Sequence, residues 1–156
     1  MRNLFEIDAW KIIENKFDSS KQKQAESIFS IGNGSFGQRA NFEEHYSGDS
    51  LQGSYVGGVY YPDKTRVGWW KNGYPEYFAK VLNSCNWIGI NIEVDGIPLD
   101  LNTCEVKSFH RELDMQHGIL TRHFKVILSN GKELEVQSIR FCSMAKEEIA
   151  AISYTV

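Results

Sequence analysis

GILTRHFKVILSNGKELEVQSIRF, residues 118–141, decides the fold class of this chain. Apolar and polar residues alternate along both halves of the stretch, which is the period of a β-strand with one buried face. The first half places four apolar residues on one face: Leu120, Phe124, Val126 and Leu128. Asn130-Gly131 then favours a tight turn, and Leu134 and Val136 resume the alternation. The stretch predicts an antiparallel hairpin in a half-exposed sheet.

Two other stretches share this pattern. Residues 86–101, NWIGINIEVDGIPLDL, alternate four apolar residues with polar or small ones: Ile88, Ile90, Ile92 and Val94. Asp95-Gly96 supplies the positive-φ pair of a two-residue hairpin. Residues 148–156 predict another strand, with Ala150, Ile152, Tyr154 and Val156 in phase. Most of the chain therefore predicts an all-β fold, an antiparallel β-sandwich.

The first half of the chain is less regular. Residues 5–17 predict a strand, and residues 19–26 have room for one or two helical turns before the strand-like residues 28–32. A helical i, i+3, i+4, i+7 spacing also relates Phe78, Val81, Leu82 and Cys85. Asn83 and Ser84 are mediocre helix formers, so a short helix and a non-helical segment both stay open there.

The sequence stops within an apolar run, EIAAISYTV, that has no turn residues and no polar tail. Domain ends usually lie in exposed polar segments. We therefore expect residues 1–156 to be part of a larger sandwich. Residues 149–156 would then form an incomplete edge that pairs with another chain. The alternative is a naturally short protein that ends on an edge strand.

The bulk composition narrows the class of protein. A length of 156 residues with 42% hydrophobic content suits one folded domain. Twenty acidic and seventeen basic residues give a net charge of −3, which argues against nucleic acid as a partner. The first residues do not resemble a signal peptide, and no window is apolar enough for a membrane span. Three cysteines without CxxC spacing argue against a disulfide framework or a zinc site, so a cytoplasmic location is expected.

Residues 32–37, GNGSFG, fit the G-x-G-x-x-G pattern of dinucleotide-binding loops. That fingerprint needs a helix that opens on the last glycine, within a βαβ unit. The continuation, QRANFEEHYSGDS, has no helical apolar stripe. The motif therefore predicts a hairpin-like turn in which glycines supply positive φ, rather than a nucleotide site.

Polar and ionisable residues cluster at Arg39, Glu43, Glu44 and His45. Paired carboxylates can divide acid and base roles, but neighbours on a strand point to opposite faces, which argues against a catalytic pair. We expect a salt bridge from Arg39, or plain solvation. The other histidines, His110, His117 and His123, are spaced irregularly and predict no metal site. The residues themselves indicate no catalytic group and no cofactor.

Residues 53–80 are rich in aromatics, and seven of the chain's twenty lie between positions 60 and 78. The loop contains the candidate contact residues Arg66, Trp69, Trp70, Lys71 and Tyr74. Such rings must bury against something. The loop packs on its own domain, docks against another domain or subunit, or stacks on a sugar; we rank the interface above direct sugar contact.

The same region resembles the N-terminal region of glycoside hydrolase family 65, through ESIFSIGNGSFGQRANFEEHYSGDSLQGSYVGGVYYPDKTRVGWWKNGYP (26–75). The resemblance continues in NWIGINIEVDG (86–96), LDMQHGILTRHF (113–124) and RFCSM (140–144). The GNGxxGxR element is widespread in that family, whereas PDKTRVGWWKNGYP resembles its maltose phosphorylase branch. Kojibiose and trehalose phosphorylases and related hydrolases of the family are the alternative.

This resemblance implies an N-terminal β-sandwich followed by a linker and a catalytic (α/α)6-barrel, which would lie outside this chain. It implies inverting phosphorolysis of an α-glucosyl disaccharide to β-glucose 1-phosphate and glucose, with inorganic phosphate as co-substrate and no other cofactor. The implied partners are the barrel, a second subunit in a homo-oligomer, and the disaccharide. No catalytic residue carries over to this chain. A free-standing carbohydrate-binding sandwich and a purely structural or oligomerisation module are the rivals.

Overall fold

The computed structural model describes residues 5–66 and 75–156, apart from the side chain of Ile7. The described residues form thirteen strands, one α-helix (α1, Gln22–Ile28) and a 3-10 turn at Ser19–Lys21. The strands are β1 Glu6–Ile7, β2 Lys11–Glu14, β3 Ile31–Gly32, β4 Phe36–Gln38, β5 Ser54–Val56, β6 Tyr60–Lys64, β7 Tyr77–Val81, β8 Glu93–Val94, β9 Ile97–Pro98, β10 Glu105–Asp114, β11 Ile119–Ile127, β12 Glu133–Cys142 and β13 Ala150–Thr155. Every strand pairing among them is antiparallel, so the all-β expectation is confirmed.

A six-stranded sheet in the order β1-β2-β10-β11-β12-β13 is the base of the fold. Strands β10, β11 and β12 bury every second side chain on one face, as the alternation predicts. The hairpin between β11 and β12 closes where the Gly131 amide donates to the Leu128 carbonyl at 2.9 Å. Gly131 has a φ of 81°, which a residue with a side chain rarely adopts. The predicted turn at Asn130-Gly131 is therefore confirmed.

The smaller hairpin between β8 and β9 also follows its turn chemistry. Asp95 and Gly96 have φ values of 54° and 76°, the pair of positive values that a type I′ turn requires. The strand predicted before this turn is shorter than expected, because only Glu93–Val94 pairs. Upstream, Ile88 is fully buried, and the Ile90 amide donates to the carbonyl of Glu43 at 2.8 Å. This segment is held by isolated contacts and not by a strand ladder.

The buried face of the large sheet is covered by α1, by the three-stranded sheet β3-β4-β5 and by the irregular residues 39–46. Apolar side chains form two separate clusters there. The larger one contains Phe42, Leu99, Leu101, Phe109, Phe124, Val126, Leu128 and Val136. The smaller one contains Ala25, Phe29, Ile31, Ala40, Leu113, Leu120 and Cys142. Between the two, strands β10, β11 and β12 each contribute an arginine to the core.

The opposite face of the sheet is half-exposed, in agreement with the prediction. It contains polar pairs such as Glu135, which accepts from His123 at 2.7 Å and from Lys125 at 3.1 Å. Lys11 on β2 contacts Glu112 on β10 at 2.9 Å. Exposed ion pairs of this kind contribute little to stability.

Two local predictions need correction. Residues 77–81 form strand β7 and not part of a helix, because Phe78 lies opposite Asp63 in a ladder with β6. Helical spacing carries no information about that non-local pairing. The strand predicted over residues 5–17 is a pair, β1 and β2, joined by a turn in which the Asp8 amide donates to the Lys11 carbonyl. The helical turns predicted over residues 19–26 are confirmed.

Candidate functional site

Three arginines occupy the middle of the core. Arg111, Arg122 and Arg140 lie on adjacent strands and are at most 3% exposed. Arg111 lies directly opposite Arg122 in the β10–β11 ladder. Like charges that face each other in a buried sheet are strongly unfavourable unless carboxylates accompany them.

Three buried glutamates neutralise these arginines. Glu14 accepts from Nε and Nη2 of Arg111 at 2.8 and 2.6 Å. Glu44 binds Arg122 through both carboxylate oxygens. Glu43 accepts from Arg122 at 2.5 Å and lies 3.2 Å from Nη1 of Arg140. We call this group the charged layer: Glu14, Glu43, Glu44, Arg111, Arg122 and Arg140.

The pKa values show that the centre of the charged layer is ionised. Burial alone would raise the pKa of Glu43, but Arg122 and Arg140 bring it below its usual value. Burial alone would lower the pKa of Arg122, but Glu44 and Glu43 raise it above the ordinary range. Burial raises the pKa of the neighbouring Tyr154 phenol, which donates to Glu44 at 3.1 Å. These two shifts favour the ionised forms of Glu43 and Arg122, whereas burial raises the pKa of Glu14 despite its contacts with Arg111.

Both outcomes expected for Glu43 and Glu44, a salt bridge from Arg39 or plain solvation, are therefore wrong. Neither carboxylate is solvated, and both bind Arg122 and not Arg39. Residues 41–44 have no strand conformation, so adjacent side chains can point into the same space. Arg39 instead lies 4.0 Å from Glu26 and donates to the carbonyl of Leu51. The strand argument against a catalytic pair therefore fails, and what speaks against such a pair is that the guanidinium of Arg122 occupies both carboxylates.

The GNGSFG motif forms the β3–β4 hairpin, as predicted. The side-chain oxygen Oδ1 of Asn33 accepts from the backbone N–H groups of Ser35 and Phe36, which closes the turn. Its Nδ2 donates to the carbonyls of Ser143 at 2.8 Å and Glu147 at 3.0 Å. A strand, β4, follows the motif where a nucleotide-binding loop would have a helix. The motif thus ties a hairpin to the connection between β12 and β13.

Three of the four histidines each form a hydrogen bond with a polar side chain. His117 contacts Asp114 at 2.9 Å, His123 contacts Glu135 at 2.7 Å, and His110 contacts Asn15 at 2.8 Å. Within the described ranges no three His, Cys, Asp or Glu side chains converge on a metal position. No helix of the described chain is long and apolar enough to cross a membrane.

Strands β6 and β7 pair only with each other within the described chain and form a ribbon that we call the aromatic arm. Nine of its ten residues are exposed. The exposed fractions are 57% for Tyr60, 57% for Tyr61, 52% for Tyr77 and 47% for Phe78. An isolated two-stranded ribbon is marginally stable in water, and this one presents apolar surface that the described residues leave uncovered.

Of the five candidate contact residues, the structure describes one. Arg66 follows β6 at the outer end of the arm and is exposed. The remaining four, Trp69, Trp70, Lys71 and Tyr74, lie outside the described residues. The prediction that this loop contacts a partner or a sugar stays a prediction.

A cleft of about 520 Å³ lies beside the GNGSFG hairpin. Its walls are aromatic and aliphatic, and its rim is acidic: Ser35, Phe36, Val56, Cys85, Trp87, Glu147, Glu148 and Ala150. The rings of Phe36 and Trp87 meet edge to face at 6.1 Å. Sequence reasoning missed this site, because Trp87 stands in a segment interpreted as a strand, far in sequence from the other walls.

Comparison with known proteins identifies the family of this chain. The family described as "Glycosyl hydrolase family 65, N-terminal domain" matches residues 12–156. The chain is 51% identical to maltose phosphorylase from Bacillus subtilis, over 98% of this chain and 20% of that protein. It is 34% identical to α,α-trehalose phosphorylase from Thermoanaerobacter brockii, again over 98% of this chain and 20% of that protein. Kojibiose phosphorylase from the same organism is 28% identical, over 100% of this chain and 19% of that protein.

A solved structure agrees with these sequence matches. A putative kojibiose phosphorylase from the human microbiome superimposes with a TM-score of 0.79 and is 33% identical, over 91% of this chain and 19% of that one. The chain spans about one fifth of the length of the relatives it matches. The chain belongs to glycosyl hydrolase family 65, whose N-terminal domain matches residues 12–156.

Proposed function

We propose that this chain is part of the N-terminal β-sandwich of an inverting phosphorylase that acts on maltose. The observation that carries the proposal is the 51% identity to a maltose phosphorylase, against 34% and 28% for the trehalose and kojibiose enzymes. The catalytic (α/α)6-barrel belongs to the remaining four fifths of such a protein, and the expected location is the cytoplasm.

The proposed reaction transfers a glucosyl group from maltose to inorganic phosphate. A phosphate oxygen forms a bond to the anomeric carbon on the face opposite the bond that breaks. The leaving glucose oxygen takes a proton from a carboxylic acid, which yields β-glucose 1-phosphate and free glucose. Phosphate thus stands where an inverting hydrolase would have a base and a water molecule.

Residues of this chain support a scaffolding role in that reaction. A general acid must reach the leaving oxygen and hold a transferable proton. Glu43 and Glu44 are buried against Arg122, and the pKa of Glu43 is lowered. They therefore hold residues 39–46 on the sheet. The aromatic arm, with Arg66 at its end, is the surface that we assign to contact with the barrel or with a second subunit of a homo-oligomer.

The proposal is tested on the whole polypeptide that the gene encodes. Purified protein is incubated with phosphate and, in parallel, with maltose, trehalose or kojibiose, and release of β-glucose 1-phosphate is measured. Product from maltose alone supports the proposal. Product from trehalose or kojibiose, or hydrolysis without phosphate, would replace the proposed reaction with that of another branch of the family.

A companion assay uses residues 1–156 alone with maltose and phosphate. We expect no glucose 1-phosphate, because the reacting groups belong to the barrel. Detectable turnover would show that the catalytic groups lie on this chain.

A further inference from the structure

The cleft beside the GNGSFG hairpin has the features of a small-molecule site. Its volume of about 520 Å³ is within the range of protein ligand pockets. Phe36 and Trp87 provide aromatic surface, while Ser35, Glu147 and Glu148 provide polar groups at the edge. Mainly apolar walls with a few polar groups are the usual composition of such sites.

Hydrogen bonds fix the polar edge of the cleft in place. Asn33 holds the carbonyls of Ser143 and Glu147, and the hydroxyl of Ser35 donates to Glu147 Oε2 at 2.6 Å. The Ser143 amide in turn donates to the carbonyl of Ile149. A ligand that enters the cleft therefore meets acceptors already held in position, which reduces the entropy lost on binding.

The charges around the cleft select against anions. Its two ionisable carboxylates, Glu147 and Glu148, have no arginine or lysine partner within the described part of the chain. A phosphate ester would meet negative charge without compensation. Hydroxyl groups, by contrast, donate to carboxylates and to the hydroxyl of Ser35.

One buried donor also needs an acceptor. The indole Nε1–H of Trp87 is buried and has no hydrogen-bond partner among the described residues. Such a donor costs free energy until an acceptor reaches it. Because the Nε1 atom itself is inaccessible, the indole offers a ligand in the cleft its ring and not this donor.

We propose that this cleft binds a neutral pyranose, with one sugar ring against the perpendicular rings of Phe36 and Trp87 and its hydroxyls on Ser35, Glu147 and Glu148. The site would hold an uncharged glucoside such as maltose and discriminate against glucose 1-phosphate. It lies within this chain, so it does not rest on the proposed phosphorolysis.

The test is a titration of the 156-residue chain with maltose, followed by the NMR resonance of the Trp87 indole N–H, which the Trp87→Phe variant assigns. A saturable shift with a dissociation constant on the order of 1 mM is expected for an open cleft with few direct contacts. Glucose 1-phosphate should bind at least threefold more weakly. Glycerol, which has hydroxyls and no ring, should give no saturable shift.

Two variants test whether the Trp87 shift comes from sugar bound in the cleft or from a general effect of the added sugar on the solvent. Glu148→Gln should narrow the gap between maltose and glucose 1-phosphate, because it removes one negative charge while the exposed position keeps the fold intact. Trp10→Phe, at a residue 56% exposed and outside the cleft, should leave the Trp87 shift unchanged.

A second readout, the alkylation rate of Cys85, is measured without any substitution in the aromatic wall of the cleft. Cys85 lines the cleft and is exposed, whereas Cys104 lies outside it. Maltose should slow alkylation of Cys85 and leave that of Cys104 unaffected. Absence of both the Trp87 shift and Cys85 protection at roughly one hundred times the expected dissociation constant would overturn the proposal. An equal response to maltose and glycerol would overturn it as well.

Discussion

The charged layer and the aromatic arm reverse the usual distribution of side chains. The layer buries six ionisable side chains in the centre of the core, and the arm leaves four aromatic rings about half exposed. The carboxylates of the layer contact arginines, as Glu43 contacts Arg122 and Arg140, although the buried Nε of Arg140 has no hydrogen-bond partner among the described residues. The rings of the arm have no such cover. The difference teaches that the described residues accompany most of the buried charge with opposite charge, whereas they leave the aromatic rings of the arm about half exposed.

The largest effect is expected from breaking the charged layer. Arg122→Met removes the one guanidinium that both Glu43 and Glu44 contact, and leaves two buried carboxylates without their main partner. Losing one partner of a buried ion pair costs about 3–5 kcal/mol. Urea unfolding of the 156-residue chain measures this loss.

The matched control for Arg122→Met is Lys125→Met on the same strand, at the half-exposed face, where Lys125 pairs with Glu135. It should change the unfolding midpoint very little, because exposed pairs are screened by water. Equal losses in the two variants would contradict the distinction between the buried layer and the surface pairs.

The second effect concerns the loop carried by the arm. In the whole polypeptide, Trp69→Ala combined with Trp70→Ala should weaken assembly or thermal stability by about 2 kcal/mol, the usual size for loss of an aromatic interface anchor. The Michaelis constant for maltose should change less. Melting temperature, mass in solution and Michaelis constant are measured on the same double variant.

The same double variant also distinguishes an interface role of the loop from direct contact with the sugar. Unchanged mass and melting temperature with a selectively raised Michaelis constant would assign the tryptophans to sugar contact. The interface role given to the arm would then be wrong.

A third, smaller effect is the pH dependence of the charged layer. The pKa of Glu43 in the folded chain lies below the ordinary value of 4.5, so its ionised form stabilises the fold above that pH. This contribution is lost as the pH falls through the lowered pKa. The stability difference between the wild-type chain and Glu43→Gln should therefore be largest near neutral pH and shrink below pH 4.5. Urea unfolding from pH 7 to pH 3 tests this, and a difference that grows in acid would exclude an ionised Glu43.

The smallest effect is expected from the arm in the isolated chain. Phe78→Ala should change the free energy of unfolding by no more than roughly 0.5 kcal/mol, because the ring is already about half exposed. Phe124→Ala, at a fully buried ring, is the matched control and should cost about 3–5 kcal/mol. A large loss for Phe78→Ala would show that the arm is packed on its own domain.

Local patterns predict the large sheet well, and non-local contacts explain most of what they miss. Alternation and turn residues suffice for β11, β12 and the Asp95-Gly96 hairpin, because these depend on neighbours in sequence. Strand β7 depends on pairing with β6 across a loop, which no local spacing reveals. The charged layer did leave a signal: Arg122 stands in phase with Leu120 and Phe124 on a face of otherwise apolar residues.

The partners of those arginines left a weaker signal. Glu43 and Glu44 were treated as strand neighbours with opposite directions, an assumption that fails in an irregular segment. The cleft could not be predicted either, since its walls come from positions 35–36, 56, 85–87 and 147–150. Only folding brings those positions together.

Because Glu43 contacts two arginines and Arg122 contacts two glutamates, these positions cannot vary independently. Replacing Arg122 leaves Glu44 without its arginine, and replacing Glu43 leaves Arg140 without its carboxylate, so a stepwise path through either replacement passes an intermediate less stable than both of its ends. Random drift should therefore preserve the set as a block, while simultaneous replacement by well-packed apolar side chains would be tolerated. An engineer who wishes to remodel this core should exchange Glu43, Glu44, Arg122 and Arg140 in one step.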